Sequence, residues 1–160
     1  MPIFAIPAKE FTPCPEGAHH AVIVDVVDHG LVKATQPGWK DRHVIDVRLE
    51  VDETGEDGER YLLVQWFTNT LSKKGKLRKF LEDTRGRALT KEELRPGGFD
   101  LDALIGLNAQ VNVVHRTAEG TDAIFANISS VMPVTKGMPK LRPLNYTRVQ
   151  DRPSENGTGH

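Results

Sequence analysis

The chain has 160 residues and a single cysteine, and it has no apolar run near the ~20 residues a membrane helix needs. One thiol, Cys14, excludes an internal disulfide and a thiolate-rich metal site. It sits between Pro13 and Pro15 with no activating base beside it, so it is a poor nucleophile. The opening "MPIFAIPAKEF" lacks a basic leader and is broken by two prolines, so no secretory signal is expected and a reducing cytoplasm is the expected compartment. Walker, G-x-S-x-G and G-x-G-x-x-G motifs are absent. His19, His20, His29 and His43 form no H-E-x-x-H pair. No catalytic residue, metal or cofactor is therefore expected.

An excess of charge of either sign is also missing: the net charge is −1. The charges are nevertheless segregated. Residues 50–59 hold Glu50, Asp52, Glu53, Glu56, Asp57 and Glu59 with no base, whereas residues 71–80 hold Lys73, Lys74, Lys76, Arg78 and Lys79 with no acid. Lys136, Lys140, Arg142 and Arg148 follow without an acid among them. Distribution, rather than net charge, carries the information.

Period-2 alternation predicts strands over 20–27, 42–51, 60–68, 109–116 and 121–131. In 42–51, Ile45, Val47, Leu49 and Val51 share one side, and Arg42, Val44, Asp46, Arg48 and Glu50 the other. In 20–27, Val22, Val24 and Val26 fall together. In 60–68, Gln65 suggests that Tyr61, Gln65 and Phe67 look outward and that Trp66 joins the core. Phe125 falls on the polar face of its strand. Between the third and fourth strands, Leu77, Phe80 and Leu81 give the i, i+3, i+4 stripe of a helix, with Gly86 as its C-terminal stop. Thr90 and Glu93 suggest a capping box, and "FDLDALIG" a further short turn of helix. Five strands with a helix between the third and fourth is the element order of an OB-fold, a small mainly β barrel. The expected organisation is an extended lead-in at 1–14, the OB domain at 15–132, and a basic tail at 133–160, mostly extended or disordered.

In that fold, nucleic acid lies over the outer face of strands two and three and the loops beside them. A single strand needs cations along its backbone and rings for its bases. The candidate cations are Lys40, Arg42, Arg48, Lys73, Lys74, Lys76 and Arg78; the candidate rings are Trp39, Tyr61, Phe67 and Phe125, with Tyr146 in the tail. The acids at 50–59 are read as a solvent-facing hairpin tip away from the groove.

"PEGAHHAVIVDVVDHG", "LSKKGKLRKFLEDTRGRALTKEEL", "FDLDALIGLNAQVNVVH" and "IFANISSVMPVTKGM" together resemble a family of small bacteriophage and prophage OB-fold proteins that bind single-stranded DNA or serve replication. The resemblance spans roughly 15–138. Its pattern has an aromatic where Phe125 stands and W-[YF]-T where Trp66-Phe67-Thr68 stand. It often has serine where Gly75 stands; glycine loosens a helix start, which places the start near Gly75 rather than Ser72. The resemblance implies non-catalytic binding in phage DNA replication or recombination, inside the bacterial host cell. The partners it implies are single-stranded DNA, phage or host replication proteins and, as a further candidate, a second copy of the chain. Single-stranded RNA presents the same chemistry. The alternative is a protein-interaction module on an OB-like barrel that binds a host replication or defence protein. The last 28 residues carry five bases and two acids, unlike the acidic partner-recruiting tail of bacterial single-strand binding proteins.

Overall fold

Alternating β-branched residues build five strands: β1 (Gly17–Val32), β2 (Arg42–Thr54), β3 (Arg60–Thr68), β4 (Asn108–Thr117) and β5 (Ile124–Pro133). The structure is a computed structural model that describes residues 3, 13–117, 119–144 and 146–152; most of the lead-in at 1–14 and the end of the tail lie outside the described residues. The strands pair antiparallel in one sheet of order β3-β2-β1-β4-β5. The edge strands β3 and β5 approach within 8 Å between Cα atoms, but no ladder joins them. One helix, α1 (Lys76–Arg85), links β3 to β4, and 3-10 turns occur at Leu101–Leu104 and Val149–Asp151. No helix among the described residues is long and apolar enough to cross a membrane.

Inner faces of all five strands meet in one core. Ala21, Ile23, Ile45, Val47, Leu49, Val51, Leu63, Phe67, Val111 and Val113 are buried in it, and Ala126 and Ile128 pack against it. Helix α1 lays Leu77, Phe80, Leu81 and Thr84 on this core. The rings of Phe80 and Phe67 meet at 5.0 Å. Each such large side chain, fully buried, stabilises the fold by about 1.5–3 kcal/mol. The helix begins at Gly75, as the glycine suggests, and stops at Gly86 with φ 72. A Cβ there would also come within 2.6 Å of Pro133 Cγ, so both conformation and space require glycine.

Three expectations change. β1 is 16 residues long, and a register shift between Ile23 and Asp25 breaks its alternation. The extra residue of this bulge sends Val26 inward beside Val47, while Val22 and Val24 remain outside. β3 is turned over: Leu63 and Phe67 point inward, and Leu62, Val64 and Trp66 outward. Its register with β2 decides this, because Leu49 faces Leu63 and Ile45 faces Phe67. Finally, the tail docks. Leu141 is buried against Val22 and Val24, and the chain continues to residue 152 as a strap over the outer side of β1 and β2. The strap's partners lie far away in sequence: Asn108 Oδ1 accepts from the Leu141 N–H, and Glu50 Oε1 from the Leu144 N–H. No local pattern in the tail announces them.

Candidate nucleic-acid interface

The connection 33–41, the start of β2, the end of β3 and the segment leading into α1 meet at one end of the sheet. The ladder pairs Val32 with Arg42 and Val44 with Thr68, and the Asn69 N–H bonds to the His43 carbonyl at 2.7 Å. Trp39, Lys40, Arg42, Lys73, Lys74 and Lys76 all project there, exposed. Their side chains have no ion-pair or hydrogen-bond partner among the described residues. Lys73, Lys74 and Lys76 also crowd the start of α1, which has no side-chain cap and no acid in its first turn. Cations beside the positive end of a helix dipole repel it. An external anion relieves that repulsion.

The outward side of β3 adds a ring at this end. Trp66 is 55% exposed, and its indole stacks on the imidazole of His29 with centroids 4.4 Å apart and planes 26° from parallel. His29 Nε2 lies 2.6 Å from Asp46 Oδ2, and Arg48 Nε donates to Asp46 Oδ1 at 2.9 Å. Trp66 is the ring the sequence reading missed. Successive strand residues face opposite ways, so either Trp66 or Phe67 is outside, and only the pairing with β2 says which.

The remaining candidates lie elsewhere. Phe67, at 6% exposure, offers no ring face to a base. Tyr61 is half-buried against the core. Phe125 is exposed, but at the far end, where Tyr61, Leu62, Val64 and Phe125 line a cleft of about 580 Å³ rimmed by Glu56, Asp57 and Glu59. Arg48 is held by Asp46, and hydrogen bonding to that carboxylate raises its pKa. Arg78 pairs with Glu82 at 3.5 Å and reaches the Leu71 carbonyl. Tyr146 is half-buried, with its hydroxyl donating to Asp25 Oδ2 at 2.7 Å and Arg152 over its ring.

Between the two ends, the outer face is acidic and covered. Asp25, Asp46 and Glu50 are buried on it. Glu50 pairs with Arg60 at 2.8 Å, and Arg148 bridges Asp25 and Asp102 at 3.1 and 2.9 Å. Burial pushes the Asp25 carboxyl up, but hydrogen bonds from the Val149 N–H, the Tyr146 hydroxyl and Arg148 outweigh it, and the net pKa is lowered. A polynucleotide crossing here would have to displace a strap whose cation neutralises carboxylates, then lie on those carboxylates. The described geometry therefore favours the basic end over the middle of strands two and three.

The histidines hydrogen-bond locally: His19 to the Pro15 carbonyl, His20 to Asn108 and His43 to Asp28. No group of three His, Cys, Asp or Glu suited to a metal ion occurs among the described residues. No known family model matches the chain, and no curated protein matches it.

Proposed function

We propose that the protein is a non-catalytic single-strand nucleic-acid-binding protein of OB type, acting on single-stranded DNA in phage replication or recombination. The observation that carries the reading is the gathering of Lys40, Arg42, Lys73, Lys74 and Lys76, all unpaired among the described residues, with two exposed indoles, Trp39 and Trp66, at one end of the sheet. Unpaired cations suit phosphates, and exposed indoles suit unstacked bases, each worth ~1–3 kcal/mol. The barrel reading is supported by the strand order, by a helix between β3 and β4, and by the close approach of β3 to β5. The phage setting is supported by the linked motifs alone.

Titration of labelled single-stranded and duplex DNA, with tryptophan emission followed in parallel, tests the proposal. The expected result is tighter binding of the single strand, with quenching. Lys73→Glu with Lys74→Glu should weaken binding at least ~10-fold, the size of ~1.4 kcal/mol, with an unchanged far-UV spectrum. Unchanged affinity in that double variant contradicts the assignment. No binding of any oligonucleotide leaves the protein-interaction alternative.

A further inference from the structure

An indole standing alone on an edge strand samples several rotamers, and ordering it on binding costs affinity. Trp66 is not alone. It lies flat on the His29 imidazole, and that imidazole is tied to a carboxylate with no solvent exposure. Asp46 meets His29 through Oδ2, and Arg48 donates to Oδ1 at 2.9 Å and reaches Oδ2 at 3.5 Å. Arg48 Nη1 reaches the Tyr146 hydroxyl at 3.5 Å, and that hydroxyl donates to Asp25, where the Arg148 guanidinium and the Val149 N–H also converge. Arg48 already supplies Asp46 with a counter-charge. The imidazole adds something else: a flat ring held at a fixed angle beneath the one exposed tryptophan of β3.

The geometry points to His29 and Asp46 as positioning residues that hold Trp66 ready to stack on a base, braced by the C-terminal strap through Arg48 and Tyr146. The inference rests on the reading of this end as a single-strand interface. It adds that the docked tail, which occupies the middle of the outer face, supports the site at the end of that face. Docking the strap and stacking a base on Trp66 are then coupled in the same direction: whatever loosens Tyr146 from Asp25 and Arg48 weakens the platform without removing any cation.

The test uses the full chain in a Trp39→Phe background, which leaves Trp66 as the sole indole of two. Acrylamide quenching is measured without nucleic acid, and oligothymidylate affinity is measured at several salt concentrations. His29→Ala should raise acrylamide quenching of Trp66. It should also weaken oligothymidylate binding by about tenfold, within the range of one lost stack. The slope of log affinity against log salt should stay unchanged, because no phosphate contact is lost. His29→Phe returns a ring under the indole and should restore affinity to within about threefold of the background protein, a small part of one stack. Tyr146→Phe, at the far end of the relay, should cost about two- to threefold, less than the loss of the supporting ring itself.

Equal quenching and equal affinity in His29→Ala would overturn the positioning role. So would a loss of affinity accompanied by a shallower salt slope, which would make His29 a phosphate contact. If the background protein and the wild type both fail to bind oligothymidylate, the interface reading falls and this inference falls with it. If they bind and His29→Ala binds equally well, only this inference falls.

Discussion

The two ends of the sheet solve opposite electrostatic problems. At the end where β1 passes to β2 and β3 to α1, five cations stand exposed without partners among the described residues. At the other end and along the middle, every buried carboxylate on the outer face is matched: Asp25 by Arg148, Asp46 by Arg48 and His29, and Glu50 by Arg60. A charge out of water is costly unless paired, so the covered half is organised by internal satisfaction. The open half leaves its charges for something outside the chain. Exposed charge stands at both ends, but the acids of residues 52–59 repel a phosphate chain, whereas the cations at the open end attract one.

The two halves share a single core, and a core change should strike them together. Phe80→Ala removes a buried ring packed on Phe67 and should cost about 3–5 kcal/mol, read as a lowered melting temperature. A much smaller loss would mean that the helix is not seated on the sheet as described. Asp25→Ala separates the halves. It deprives the Tyr146 hydroxyl, Arg148 and the Val149 N–H of their shared acceptor, and should cost about 1–3 kcal/mol. Tryptic cleavage after Lys140 or Arg148 should accelerate, while the salt slope of oligonucleotide binding stays the same.

Acid should attack the covered half in the same way. The Asp25 pKa is lowered in the folded protein, so its contribution is complete above the unfolded carboxyl value of ~3.9 and disappears as pH falls through the lower folded value. Glu93, held at about 2 by hydrogen bonds from Arg85 and the Thr90 N–H, follows the same sign, and the Thr90–Glu93 turn should persist to lower pH than an ordinary glutamate allows. Strap release monitored by proteolysis with an acid-stable protease should be flat at neutral pH and set in only below about 4. The smallest effect belongs to Lys79. Its ammonium pairs with Asp83 at 2.7 Å on the exposed side of α1, so Lys79→Ala should cost no more than ~0.5 kcal/mol and leave oligonucleotide affinity unchanged, whereas Lys74→Ala should lower it.

The elements themselves were legible because each carries its own period. Ile45 to Val51 alternate cleanly, and Leu77, Phe80 and Leu81 trace the buried stripe of α1. Gly75 and Gly86 mark that helix's ends, Gly86 by its left-handed φ of 72 and by the Pro133 ring packed against it. The basic cluster was legible because its five cations lie in two short segments that the sheet brings to one end. The facing of β3 was not: Leu62, Val64 and Trp66 are as apolar as Tyr61, Leu63 and Phe67, so parity says nothing and the cross-strand register decides. The β1 bulge was hidden for a related reason, since an extra residue in a valine-rich run leaves no compositional trace. The docked strap was least legible. Its affinity lies in acids on β1 and β2 whose partners are about 100 residues away along the chain. Those same acids removed Arg48 from the set of free cations.

The claim that the open end meets phosphates is tested most directly by the salt dependence of oligothymidylate binding to the wild-type protein. If Lys40, Arg42, Lys73, Lys74 and Lys76 each neutralise one phosphate, log affinity should fall against log salt with a slope of about −3.5, and the slope should become shallower by about 0.7 for each lysine replaced by alanine. A slope near zero, or one that the lysine replacements leave untouched, would contradict the account.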